Sequence, residues 1–304
     1  ALPSPLRSCP SLIPGRGGRF RLLIDAHVHP AFIEELNLGE EKYRRNAQEM
    51  GLYKTEAFGL RQWDADMAES GIDKLFLLPL ALPESRGGAL VTNCQIADLV
   101  RLRPGKFVGF ASVDPHSAAA AEELEYAFAQ LGLKGLKLHP SKQLFSPSDE
   151  LLTPLYEICL RYDKPIIFHA GVSMEPGTLT KYSHPLEFEE VAFRYPKLRM
   201  CLAHFGWPWV REVCMLMLKY PNVYTDTAML YFDDPRQFYH QCLEVDIGPG
   251  WIDRSLRHQI MFGSDDPRLE QRRMIKALRN MDMRESTREL IFGGNALEFI
   301  GEAL

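Results

Sequence analysis

Eight short apolar runs, each followed by a stretch with helical spacing, constrain this chain more than any other feature. The runs lie at 21–27, 73–79, 107–113, 135–139, 165–169, 199–204, 223–226 and 259–264. The segments between them repeat apolar residues every three or four positions, as Leu124, Ala127, Phe128 and Leu131 do within 118–131, and Leu155, Ile158 and Cys159 within 151–162. Further helices are expected near 93–102, 185–195, 210–220, 235–243, 268–281 and 287–293. Continuous apolar strands alternating with amphipathic helices predict a parallel sheet built from βα units. Eight units predict an α/β fold of the (β/α)8 TIM-barrel type, which commonly runs to this length as one domain.

The rest of the chain fits around that barrel. Residues 31–60 are long and polar for a βα loop (Glu34, Glu35, Glu40, Glu41, Lys42, Arg44, Arg45), and predict a helical insertion over the barrel mouth. Residues 1–18, rich in Pro, Gly, Ser and Arg, are expected to form a loose arm, leaving 19–304 as the barrel domain. With 46% hydrophobic and 25% charged residues, the 304-residue chain has the composition of a soluble globular protein. A net charge of -5 without a basic cluster gives no reason to expect nucleic acid, and no apolar run approaches membrane-spanning length. Six scattered cysteines (9, 94, 159, 201, 214, 242) without a C-x-x-C pair read as reduced thiols of a cytoplasmic protein.

Polar residues with metal-binding chemistry recur where the strands end. The first run closes on Asp25-Ala26-His27-Val28-His29, whose two histidines share a face by strand alternation. His169 follows the fifth run, His204 the sixth and Asp265 the eighth. In a barrel these positions converge at the carboxyl end, where the chemistry of such folds sits. Each has a plainer reading: a hydrogen-bonded pair for His27 and His29, a core histidine for His169, a helix cap for Asp265. On the fourth strand Lys137 and His139 share a face, Lys137 as a barrel lysine and His139 nearer the mouth. Both are expected to meet substrate. Asp114, Tyr224 and Asp226 end other strands as supporting residues, Trp207-Pro208-Trp209 is either pocket wall or ordinary packing, and His116, His184, His240 and His258 read as surface histidines.

Together, His27-x-His29, the histidines ending the fifth and sixth strands, Gly135-Leu136-Lys137-Leu138-His139-Pro140, Gly263-Ser264-Asp265-Asp266-Pro267 and Gly294-Asn295-Ala296-Leu297 resemble the amidohydrolase superfamily. The likeness is to the branch that contains aminocarboxymuconate-semialdehyde decarboxylase and related metal-dependent hydrolases. It implies a divalent cation, Zn2+ first, held by His27, His29, His169 and Asp265, and a homodimer. It also implies His204 as a catalytic group beside the metal rather than a ligand, with Asp266 left as a cap or ion-pair residue.

A divalent ion lowers the pKa of its water from about 15.7 to roughly 7. Asp265 would then accept the water proton and His204 would stabilise the developing oxyanion. Hydrolysis of an amide, ester or lactone of a small molecule is the first expectation. The alternative is a decarboxylase or hydratase acting on a carboxylated aromatic or muconate-like acid. That alternative requires a cationic clamp, for which Lys54, Arg61 and Arg86 are the sequence candidates.

Overall fold

The computed structural model describes residues 22–52, 56–175, 177–248 and 250–302. The N-terminal arm and Lys54 lie outside the described residues. Strands β1 (Ile24–Val28), β2 (Lys74–Leu77), β3 (Phe107–Gly109), β4 (Leu136–Leu138), β5 (Ile166–Phe168), β6 (Met200–Leu202), β7 (Val223–Asp226) and β8 (Ile260–Met261) follow the eight predicted runs. All pair in parallel, in two arcs ordered β1-β2-β3 and β4-β5-β6-β7-β8. Parallel bridges Ala111↔Leu136 and Val28↔Asp266 join the arcs at both seams. The Ala26 amide donates to Phe262 O at 2.8 Å across the second of these. The fold is the predicted TIM barrel.

Each strand is shorter than its apolar run, because the chain leaves the ladder to build the site. After β4, His139 caps the short helix Pro140–Gln143 with its ring. After β6, His204 and Phe205 adopt left-handed φ values of 60° and 49°, a conformation that costs about 1–3 kcal/mol at a non-glycine residue and that surrounding contacts must impose. The pairing of β1 with β2 slips between Asp25 and Val28. His27 and His29 therefore meet through an irregular strand end, not through simple alternation.

Two apolar layers flank the sheet. Ile24, Ala26, Phe76, Phe110, Ile167 and Met261 pack with Ala296, Phe299 and Ile300 of the C-terminal segment, so helix Asn295–Phe299 seals one end of the barrel. The larger layer lies between the strands and the surrounding helices. The insertion after β1 forms a 3-10 turn, Glu34–Leu36, and the helix Glu40–Glu49. The barrel helix Leu60–Ser70, unassigned in the sequence reading, buries Leu60, Trp63 and Met67 and stops at Gly71. The helix predicted over 235–243 is regular only through Pro235–Tyr239 before widening into a π-type turn.

Candidate metal centre and active site

The carboxyl ends of β1 and β8 bring His27, His29 and Asp265 together. Their Nε2 and Oδ1 atoms lie 3.2 Å (His27–His29), 3.4 Å (His29–Asp265) and 3.8 Å (His27–Asp265) apart. The far side of each ring is already engaged. His27 Nδ1 donates to Asp226 Oδ2 at 2.8 Å, and His29 Nδ1 to Leu78 O at 2.8 Å. Those acceptors place the ring protons on Nδ1 and turn both Nε2 lone pairs inward. Burial, followed by the nearby Lys137 charge, holds His27 well below its ordinary pKa and therefore neutral. Two imidazole lone pairs and a carboxylate oxygen thus face one another, an arrangement that a divalent cation satisfies. The donor set fits such an ion.

Asp265 is prepared for that role. Burial pushes its carboxyl up, but contact with His29 and the Arg268 guanidinium outweigh this and hold it well below the usual range. Arg268 Nε lies 3.0 Å from Asp265 Oδ2, leaving Oδ1 toward the histidines. The close approach of β1, β7 and β8 depends on Gly263, where an added Cβ would lie 2.9 Å from His27 Cβ. Behind the site, buried Asp25 accepts the Ser264 amide and hydroxyl, the His27 amide and Gln271 Nε2. Burial raises its carboxyl to about 6.

The remaining sequence candidates surround the same cavity, whose lining includes His29, Lys137, His139, His169, His204 and Asp265. His169 stands apart from the trio. Its Nε2 meets Ser173 Oγ at 2.9 Å, and its ring stacks on His139 with centroids 3.9 Å apart. His204 packs between His27 and His169, at 4.7 and 4.8 Å. Its Nδ1 donates to Ala228 O at 2.6 Å, which leaves Nε2 as an acceptor. Buried Lys137 reaches His27 Nε2 at 3.4 Å, and burial lowers its ammonium to about 8. The second convergence of possible ligands, His27, His204 and Asp226, is a support rather than a site, because both Asp226 oxygens already accept N–H donors.

Other expectations changed with tertiary contact. Arg61 is exposed on helix Leu60–Ser70. Arg86 pairs with Glu49 and donates to Lys142 O at 3.0 Å. The cations that line the cavity beside Lys137 are instead Lys142 and Arg268. Among the described residues Asp266 neither caps a helix nor ion-pairs. It accepts Trp63 Nε1 at 3.2 Å, and burial raises its carboxyl to about 7. Tyr224 lies in the sealed inner layer and bonds Glu298, away from the cavity. Asp114 closes a local turn by accepting the His116 amide. Trp207 backs the wall by stacking on Tyr231 at 3.9 Å. His116, His240 and His258 are exposed and His184 half-buried. Among the described cysteines all five are free, Cys94 exposed and the others buried. No helix among the described residues is long and apolar enough to cross a membrane.

A TIM barrel with a histidine–carboxylate trio at its carboxyl end defines a metal-dependent enzyme class. The amidohydrolase family profile matches residues 24–301, and the chain belongs to that family. A 2-amino-3-carboxymuconate-6-semialdehyde decarboxylase from Dictyostelium discoideum is 24% identical over 245 residues, 69% of this chain and 65% of the relative, somewhat under two thirds of its length. Among solved structures, an uncharacterized TIM-barrel protein from Bordetella bronchiseptica superposes with a TM-score of 0.68 at 20% identity, covering 91% of this chain and 98% of the other. 5-Carboxyvanillate decarboxylase from Sphingomonas paucimobilis gives 0.61 at 16% (92% and 98%). 4-Oxalomesaconate hydratase from Rhodopseudomonas palustris gives 0.61 at 17% (92% and 95%). At 16–20% identity the solved structures show the shared fold, and two of them are by name a decarboxylase and a hydratase.

Proposed function

We propose that this enzyme is a metal-dependent lyase that removes carbon dioxide from a small carboxylated aromatic or muconate-like acid. The observation that carries the reading is one cavity lined both by His29 and Asp265 of the acceptor trio, with His27 directly behind them, and by three cationic side chains, Lys137, Lys142 and Arg268. Such a pocket suits an anionic acid better than a neutral amide. The names of the related decarboxylases and hydratase support it.

His27, His29 and Asp265 would hold the cation, with His169 as fourth ligand once its Nε2 exchanges Ser173 for the ion. When bound, a divalent ion acts as a Lewis acid on a substrate oxygen. Zn2+ is the ion expected from the sequence, and a related 5-carboxyvanillate decarboxylase from Novosphingobium aromaticivorans was solved with manganese. Lys137 presents N–H donors to an anionic substrate oxygen. His204, its Nδ1 committed to Ala228 O, takes or holds a proton at Nε2, so its role is that of a base rather than of the oxyanion donor first expected. Asp265, oriented by Arg268 and ionised at rest, would first take a proton from the substrate's own acidic group or from water. It would then pass that proton to the carbon, where the electron pair of the breaking C–C bond receives it as carbon dioxide leaves. The His139 ring contacts the substrate beside His169. The homodimer and cytoplasmic location expected from the sequence belong to this proposal, and sedimentation velocity tests the former.

The deciding experiment gives the metal-loaded enzyme a panel of carboxylated phenols, muconate-type acids, lactones and esters. Carbon dioxide release from an acid is expected. Turnover confined to lactones or esters contradicts the lyase reading.

A further inference from the structure

At the mouth of the cavity, Lys142 and Arg268 converge on a single oxygen of Glu175, at 3.6 and 2.9 Å from Oε1. The two cations follow different strands, Lys142 in the short helix after β4 and Arg268 in the loop after β8, yet both have partners besides Glu175. Lys142 Nζ also donates to Glu49 O, and Arg268 Nη2 donates to Met50 O at 2.6 Å. Both carbonyls belong to the end of the insertion helix. The Glu175 carboxylate is held by those two cations and by its own backbone amide, and it follows Met174, which is 71% exposed. The cationic pair is thus anchored to the insertion helix as well as to its anion, which sits on a loop with its own side chain 11% exposed.

The same guanidinium that holds Glu175 through Nη2 faces the Asp265 carboxylate through Nε. One arginine side chain therefore bridges the mouth carboxylate and Asp265 of the metal-site trio. Leu80, Leu90, Val91, Met229 and Tyr231 line the same cavity, apolar surfaces suited to a flat ring. Charge-assisted pairs with Arg and Lys are the standard means of fixing a carboxylate.

We propose that Lys142 and Arg268 form a second carboxylate-binding subsite, that Glu175 occupies it in the free enzyme, and that the substrate is a dicarboxylate whose distal carboxylate displaces Glu175. This rests on the lyase reading, in which the first carboxylate is bound at the trio. Glu175 is then a specificity-determining residue. Together with Asp265 on the other edge of Arg268, it leaves neither cation uncompensated toward monoacids, and it yields to a ligand that returns a negative charge to the two cations.

The test is calorimetric titration of the metal-loaded enzyme with benzoate and with benzene-1,3-dicarboxylate, in wild type and in Glu175→Gln, with Glu175→Ala as a second variant lacking an acceptor. Removing the internal competitor is expected to tighten dicarboxylate binding about tenfold or more while benzoate changes less than about twofold. Adding Lys142→Met to either variant is expected to abolish the gain. Benzoate that binds normally, with an unchanged dicarboxylate-to-benzoate ratio in both Glu175 variants, overturns the subsite alone. Failure of benzoate to bind any form overturns the carboxylate-at-the-metal reading and this proposal with it.

Discussion

Asp226 accepts the Nδ1 proton of His27 at 2.8 Å and, through its other oxygen, the backbone amide of His204 at 2.8 Å. One buried carboxylate at the end of β7 thus sets the tautomer of a ligand on β1 and holds the left-handed turn after β6. Asp226→Asn keeps the shape but makes one terminus a donor, so one of the two N–H groups loses its acceptor. Metal affinity is expected to fall about 10–100-fold, the usual cost of losing the partner behind a ligating histidine. Chelator competition measures it, and unchanged affinity would show that the pair is only structural.

His204→Ala separates proton handling from ligation. The metal content is expected to stay at the wild-type level while turnover drops about 10²–10⁴-fold, the range for a positioned acid–base group. Metal content falling together with activity would make His204 a ligand instead.

Gly263→Ala tests the close packing behind the centre. A Cβ there meets His27 Cβ at 2.9 Å and Ala228 Cβ at 3.3 Å. Overpacking of this kind costs about 1–3 kcal/mol. A lowered melting temperature of the metal-free protein together with weaker metal binding is expected, and a melt identical to wild type would show that the strands have room to part.

The barrel was legible because every strand is a short apolar run and most of the helices show their period. His27, His29, Asp265 and Asp226 were legible because each closes a run with a side chain that makes poor core filler. Helix Leu60–Ser70 was overlooked beside the polar insertion, since only Leu60, Trp63 and Met67 mark its buried face. Lys142, Glu175 and Arg268 were not legible at all. They lie where no period can show, Lys142 in the four-residue helix Pro140–Gln143 and the other two in loops, and their meeting depends on where three βα connections end in space. The i,i+3 spacing of Asp265 and Arg268 was the one local signal available. The clamp sought at Arg61 and Arg86 failed for the same reason, because sequence shows charge but not which cations face the cavity.

If His27, His29 and Asp265 surround one divalent cation, metal analysis of His29→Ala shows it most directly. His29 is only half-buried, at the rim of the cavity, so its loss leaves the barrel core intact. Wild type is expected to carry one divalent ion per chain, and His29→Ala to lose it while keeping its circular dichroism spectrum. A folded His29→Ala protein that retains a full complement of metal would contradict the account.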